Sequence, residues 1–126
     1  MTEQLSILYV DDEPDIRMIV EMALHLNPRL STRTASSGEE ALGMVIGEGW
    51  RPDLIMVDVM MPGLTGPDVL AELRANADTA GIPVIFMTAR ARPPDIEAYL
   101  AQGARAVIVK PFDPMSLADQ VMSLIP

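Results

Sequence analysis

Short apolar runs alternate with helix-period segments five times along this chain, and no other feature constrains its fold as tightly. Leu5 to Val10 is a compact apolar run, and Asp15 to Leu26 follows with Ile16, Ile19, Val20, Ala23 and Leu24 at helical spacing. Pro14 suits the first turn of that helix. Leu30 to Thr34 reads as a second strand. Ser36 or Ser37 then caps a helix running to about Glu48, with Glu40 spaced as a capping-box partner. Leu54 to Val57 is a buried strand ending at Asp58, followed by a loop of Pro and Gly and a helix from about Gly66 to Asn76. Ile82 to Met87 is the fourth strand, Pro94 to Gln102 a helix closed by Gly103, and Ala106 to Val109 the fifth strand. Asp113 is placed to cap a last helix carrying Leu117, Val121 and Leu124 on its inner side.

Strands that are apolar residue after residue are buried on both faces, and strands separated by helices pair in parallel through right-handed crossovers. The pattern therefore predicts an α/β fold: a doubly wound, five-stranded parallel sheet with flavodoxin-like (βα)5 order 2-1-3-4-5. With 126 residues, 49% of them hydrophobic, one core suffices, so residues 1–126 are expected to form a single domain with no effector domain in this chain. Cysteine is absent, which removes disulfides and thiolate chemistry and favours a cytoplasmic setting. No stretch is long and apolar enough for a membrane span, and Met1 to Ser6 lacks the basic start of a signal segment. A net charge of −9 repels nucleic-acid phosphates on average, so direct nucleic-acid binding is not expected.

The chemically capable side chains fall directly after strands. Asp11 and Asp12 follow the first, Asp58 ends the third, Thr88 follows the fourth and Lys110 the fifth. In an open α/β sheet, ligands bind beyond the carboxyl ends of the strands where the strand order reverses, so order 2-1-3-4-5 brings these five residues to one pocket. Three crowded carboxylates are relieved by protonation or by a hard divalent cation, for which Mg²⁺ is the natural choice and Mn²⁺ an alternative. One carboxylate could then attack a phosphoryl group while Lys110 and the Thr88 hydroxyl hold its equatorial oxygens.

The ordered set of motifs resembles the receiver domains of two-component response regulators, of the single-domain chemotaxis type, over essentially the whole chain. It comprises Val10-Asp11-Asp12-Glu13, Asp53 to Asp58, Met61-Pro62-Gly63 with Gly66, Thr88-Ala89, Gly103-Ala104 and Lys110-Pro111-Phe112. The resemblance implies Asp58 as phosphoacceptor, Asp12 and Asp58 as direct metal ligands, Asp11 as a contact through water, and the Met60 backbone carbonyl as a further ligand. It also implies that Thr88 and Lys110 bind phosphoryl oxygens and that the Lys110-Pro111 peptide is cis. The partners implied are a sensor histidine kinase or histidine phosphotransfer protein as donor and a downstream protein target. On this reading the chain is a switch, enzymatic only toward itself.

A Mg²⁺-dependent aspartyl-phosphate phosphatase or phosphotransferase of the haloacid dehalogenase kind also uses a strand-end aspartate. That class needs a second Asp two residues later, where this chain has Met60. A nucleotide or flavin carrier would need a glycine-rich phosphate loop where Asp11-Asp12-Glu13-Pro14 stands. Within the receiver resemblance, Val107 replaces the usual aromatic three residues before the lysine. The charged pattern of dimerising transcription-factor receivers is missing from Ala106 and from Ser116 to Gln120, so a monomer or weak dimer is expected.

Isolated features carry blander readings. His25, the single histidine, suits a helix end, and Trp50 a cover over the lower core. Met18 and Met22 fall on the first helix away from Ile19, Val20, Ala23 and Leu24, with Ile16 on the first turn beside the pocket. Such adaptable apolar groups suit docking of a helical partner, and equally fit tolerated surface exposure.

Overall fold

The computed structural model describes residues 4–90 and 92–125. Met1 to Glu3, part of the segment read above as lacking the basic start of a signal, lie outside the described residues, as do Ala91 and Pro126. Five strands, β1 (Leu5–Val10), β2 (Leu30–Ala35), β3 (Leu54–Asp58), β4 (Val84–Thr88) and β5 (Ala106–Val109), form one parallel sheet in the order β2-β1-β3-β4-β5. The helices α1 (Pro14–Leu24), α2 (Gly38–Leu42), α3 (Gly66–Ala75), α4 (Pro93–Ala101) and α5 (Leu117–Leu124) connect and cover it. Strands β3 and β4 are buried at every residue, as expected for a sheet covered on both faces.

Two separate apolar layers result from the two-residue alternation of each strand. Leu8, Val10, Ile55, Val57, Val84 and Phe86 point to one face with Val69, Leu70 and Leu73 of α3, and Trp50 packs partly buried against this layer with Arg33 stacked on its ring. Ile7, Tyr9, Leu54, Met56, Ile85, Met87 and Ile108 point to the other, against Val20 and Leu24 of α1 and Leu117 and Val121 of α5.

Several boundaries differ from the sequence reading. Pro83 has no N–H for the ladder, and β4 starts after it at Val84, two residues beyond Ile82. Ser37 caps α2 by accepting from the Glu40 N–H at 3.0 Å, while the Glu40 carboxylate reaches back to the Ser36 N–H at 3.0 Å. The α-helix then gives way to a π-helical turn, Gly43–Gly47, closed by Glu48 N–H donating to the Gly43 carbonyl at 2.8 Å. Asp113 does not cap α5. Its Oδ1 accepts from the Met115 N–H at 2.9 Å, spending the carboxylate on the preceding turn, and α5 begins only at Leu117 with no side-chain cap. Ile19, placed on the inner stripe of α1, is 42% exposed. It lies about 100° around the helix from Val20, on the flank instead of the centre of the narrow face that meets the sheet.

Candidate functional site

Register alone brings the polar groups together. Tyr9 pairs with Met56 and Met56 with Ile85, so Asp11 and Asp58, each two residues on, emerge from the same face at the carboxyl edge of the sheet. Met87 pairs with Ile108, which puts Lys110 on that face as well. Thr88 has the opposite parity and ends β4 on the α3 side. The chain leaves β5 through Lys110 N–H donating to the Thr88 carbonyl at 2.8 Å and through a cis Lys110-Pro111 bond, as the resemblance implied.

Asp11 is fully buried, Asp58 nearly so, and Asp12 exposed. One oxygen from each of these three carboxylates lies within 4.8 Å of the others, a spacing that fits a hard cation with oxygen ligands. Lys110 Nζ lies between two of them, 3.1 Å from Asp58 Oδ2 and 3.3 Å from Asp11 Oδ2. Asp58 Oδ1 accepts from the Met60 N–H at 3.3 Å, so the Met60 backbone folds beside the site while its side chain is exposed. The Thr88 hydroxyl is buried and accepts from the Arg90 N–H at 2.9 Å, holding the β4–α4 loop and keeping its own proton available to donate.

Burial pushes the Asp58 carboxyl above its ordinary value; the Lys110 hydrogen bond and charge oppose this, and the Asp11 charge adds to it. Burial pushes the Lys110 ammonium down, but its bond to Asp58 and the charges of Asp11 and Asp58 outweigh that and leave it raised. The lysine stays cationic and the pocket keeps an excess of negative charge.

Local sequence holds the loop behind Asp58 close to the strand. Val59 N–H donates to the Met87 carbonyl at 3.0 Å and Gly66 N–H to the Val59 carbonyl at 3.1 Å. A Cβ on Gly66 would stand 2.8 Å from the Asp58 carbonyl oxygen, so only glycine fits. Thr65 and Asp68 then form a reciprocal capping box at the start of α3. On the other flank, Arg17 Nη1 donates to the Asp11 carbonyl at 2.7 Å and ties α1 to the end of β1.

The family model for the response regulator receiver domain matches residues 7–122. The chain belongs to this family. Among curated relatives, this receiver is 42% identical over 120 residues to a probable transcriptional regulator ycf27 of Cyanophora paradoxa, covering 95% of this chain and 48% of that one. It is 34% identical over 120 residues to the DNA-binding response regulator MtrA of Mycolicibacterium smegmatis, covering 95% and 50%. The chain thus spans about half the length of the curated relatives it matches. The chemotaxis response regulator CheY4 of Vibrio cholerae superposes with a TM-score of 0.86 at 30% identity, covering 96% of this receiver and 98% of CheY4. The dehalogenase-type alternative finds no support in these matches.

Beside the receiver pocket, a groove of about 390 Å³ runs between α1 and the β5–α5 loop, lined by Ile16, Ile19, Ala89, Lys110, Phe112 and Pro114 among others. A second apolar hollow with Ile19, Met22, Leu26 and Met115 continues it. Ile16 and Met22 line this surface; Met18 is 59% exposed but lines neither hollow. Sequence reasoning passed over two participants. Ile19 was assigned to the core, and Tyr9 was taken for a plain strand residue, although its two-residue offset from Asp11 was visible.

Proposed function

We propose that this receiver accepts a phosphoryl group on Asp58 from the phosphohistidine of a sensor histidine kinase or a histidine phosphotransfer protein. The observation that carries the reading is Lys110 Nζ held at 3.1 Å and 3.3 Å between Asp58 and Asp11, within a cluster of three carboxylates. Asp12 and Asp58 would hold Mg²⁺, or Mn²⁺ in its place, with the Met60 carbonyl as a further ligand and Asp11 acting through water. The cation, when bound, offsets the carboxylate repulsion and the charge of the incoming phosphoryl oxygens.

A carboxylate oxygen of Asp58 attacks phosphorus as the phosphorus–nitrogen bond breaks, and the imidazole nitrogen leaves with the bonding pair. Lys110 moves onto the phosphoryl oxygens, and the Thr88 hydroxyl donates its proton to them. The groove along Ile16, Ile19 and Met22 would receive the donor helix, with the exposed Met18 on the same helix available to touch it. The receiver is then a switch that acts on itself and signals to a downstream protein. We place it in the cytoplasm, as its lack of cysteine favours, as a monomer or weak dimer, and without direct contact with nucleic acid, whose phosphates its net charge of −9 repels. The DNA binding in the name of the MtrA relative belongs to that longer protein. Among the described residues no helix is long and apolar enough to cross a membrane.

Incubation with Mg²⁺ and acetyl phosphate should add one phosphoryl mass, labile to base, and Asp58→Asn should abolish it. A phosphoryl group mapped to another residue of the wild type would refute the assignment.

A further inference from the structure

Tyr9 is the one buried polar side chain at the pocket for which the reading above has no use. Its ring is fully buried under α1 and α5, and its hydroxyl donates to Asp11 Oδ2 at 2.7 Å, shorter than either contact of Lys110 with the carboxylates. The same oxygen accepts from Lys110 at 3.3 Å, and Asp11 Oδ1 accepts from the Glu13 N–H at 3.0 Å. Asp11 is therefore held at both oxygens, one of them doubly.

We propose that the Tyr9 hydroxyl is a positioning group that keeps the Asp11 carboxylate in place when Lys110 leaves it for the phosphoryl group on Asp58. The inference rests on the phosphoacceptor reading of Asp58. A phosphoryl group brings more negative charge to Asp58 than the carboxylate it replaces, and Lys110 must turn toward it. The longer of its two contacts, at 3.3 Å to Asp11, is the one surrendered. Stripped of its cation and with no other donor, Asp11 Oδ2 would be a buried oxygen left unsatisfied, and the carboxylate would be held only by the Glu13 N–H on Oδ1. Tyr9 prevents both. Being neutral, it satisfies Oδ2 without cancelling the charge that Asp11 directs toward a cation, and its rigid ring spans the two-residue step along β1 from a fixed anchor. A partner that orients a carboxylate ligating a metal directly is worth about tenfold or more in metal affinity, and one that orients a carboxylate reaching the metal through water, as Asp11 would, is worth a smaller part of that.

The test compares the wild type with Tyr9→Phe, which keeps the ring and removes only the donor. Magnesium affinity, read by calorimetry, should fall severalfold, by less than about tenfold, and the rise in melting temperature produced by Mg²⁺ should shrink, while acetyl phosphate modifies Asp58 more slowly. Unchanged magnesium affinity, or a melting temperature lowered equally with and without metal, would reduce Tyr9 to a packing residue and overturn the proposal. Wild-type protein labelled with carbon-13 at tyrosine Cζ supplies a check free of any folding defect in the variant. The Tyr9 signal should keep its hydrogen-bonded position when beryllofluoride is added, and a shift to that of a free phenol would equally overturn the proposal. A wild type that takes up neither Mg²⁺ nor phosphoryl group would instead refute the functional reading itself.

Discussion

Single residues at this pocket carry conflicting demands, and Asp58 shows the conflict in its proton affinity. Its carboxyl is raised by burial first, against the opposing pull of Lys110 and with the help of Asp11. A group raised in the folded state binds its proton to higher pH than in the unfolded chain. Ionisation of Asp58 therefore removes stability as pH rises from the ordinary carboxylate range through the raised value. Metal-free Asp58→Asn should accordingly melt above the wild type at pH 7, with the difference shrinking toward pH 4; thermal melts in chelator across that range provide the check. Lys110 keeps Asp11 as a partner in that variant, so the gain is not cancelled by an orphaned cation. At Gly66 the demand is steric. An added Cβ meets the Asp58 carbonyl oxygen at 2.8 Å and Val59 Cα at 3.0 Å, and backbone cannot swing aside as a side chain would. Gly66→Ala should cost about 1–3 kcal/mol in denaturant unfolding and slow the phosphorylation of Asp58.

At the level of elements, α4 is the helix least committed to the core. None of its residues is buried, and its ring contact is Tyr99 edge-on to Phe86 at 5.4 Å between centroids. Phe86 lies two residues before Thr88 on the same face of β4, and the Thr88 hydroxyl holds the Arg90 N–H. A Thr88 drawn toward a phosphoryl group would pull Arg90 with it and disturb the entry to α4, where Arg92 pairs with Asp95 at 3.3 Å. Val107, partly buried and paired with Phe86 across the sheet, is β-branched and short, and cannot swing between pocket and surface as an aromatic would. Beryllofluoride should therefore shift the amide signals of residues 88 to 90, Arg92 and the first turn of α4 more than those around Val107. If the largest remote changes centre on β5, the signal travels another way.

At the scale of the whole fold, two apolar layers flank one five-stranded sheet whose parallel strands share a carboxyl edge. Ala106 and Ser116 to Gln120 do not supply the charges of dimerising receivers, so sedimentation at micromolar concentration should show a monomer or a weak dimer, and phosphorylation should not convert it to a tight dimer. The five-unit rhythm, the doubly wound order and the meeting of Asp11, Asp12, Asp58 and Lys110 at one edge were legible in the sequence, because periodicity and strand-end position are local properties of the chain; Thr88 ends its strand with the opposite parity. Tertiary structure decided what depends on neighbours distant in the chain. Ile19 lies outside the core because a helix lying on a sheet buries only a narrow stripe, and Asp113 caps a turn because its carboxylate accepts from the Met115 N–H two residues on. Tyr9 became a partner of Asp11 because burial between α1, α5 and the sheet left its hydroxyl one acceptor within reach, and a buried phenol must donate somewhere.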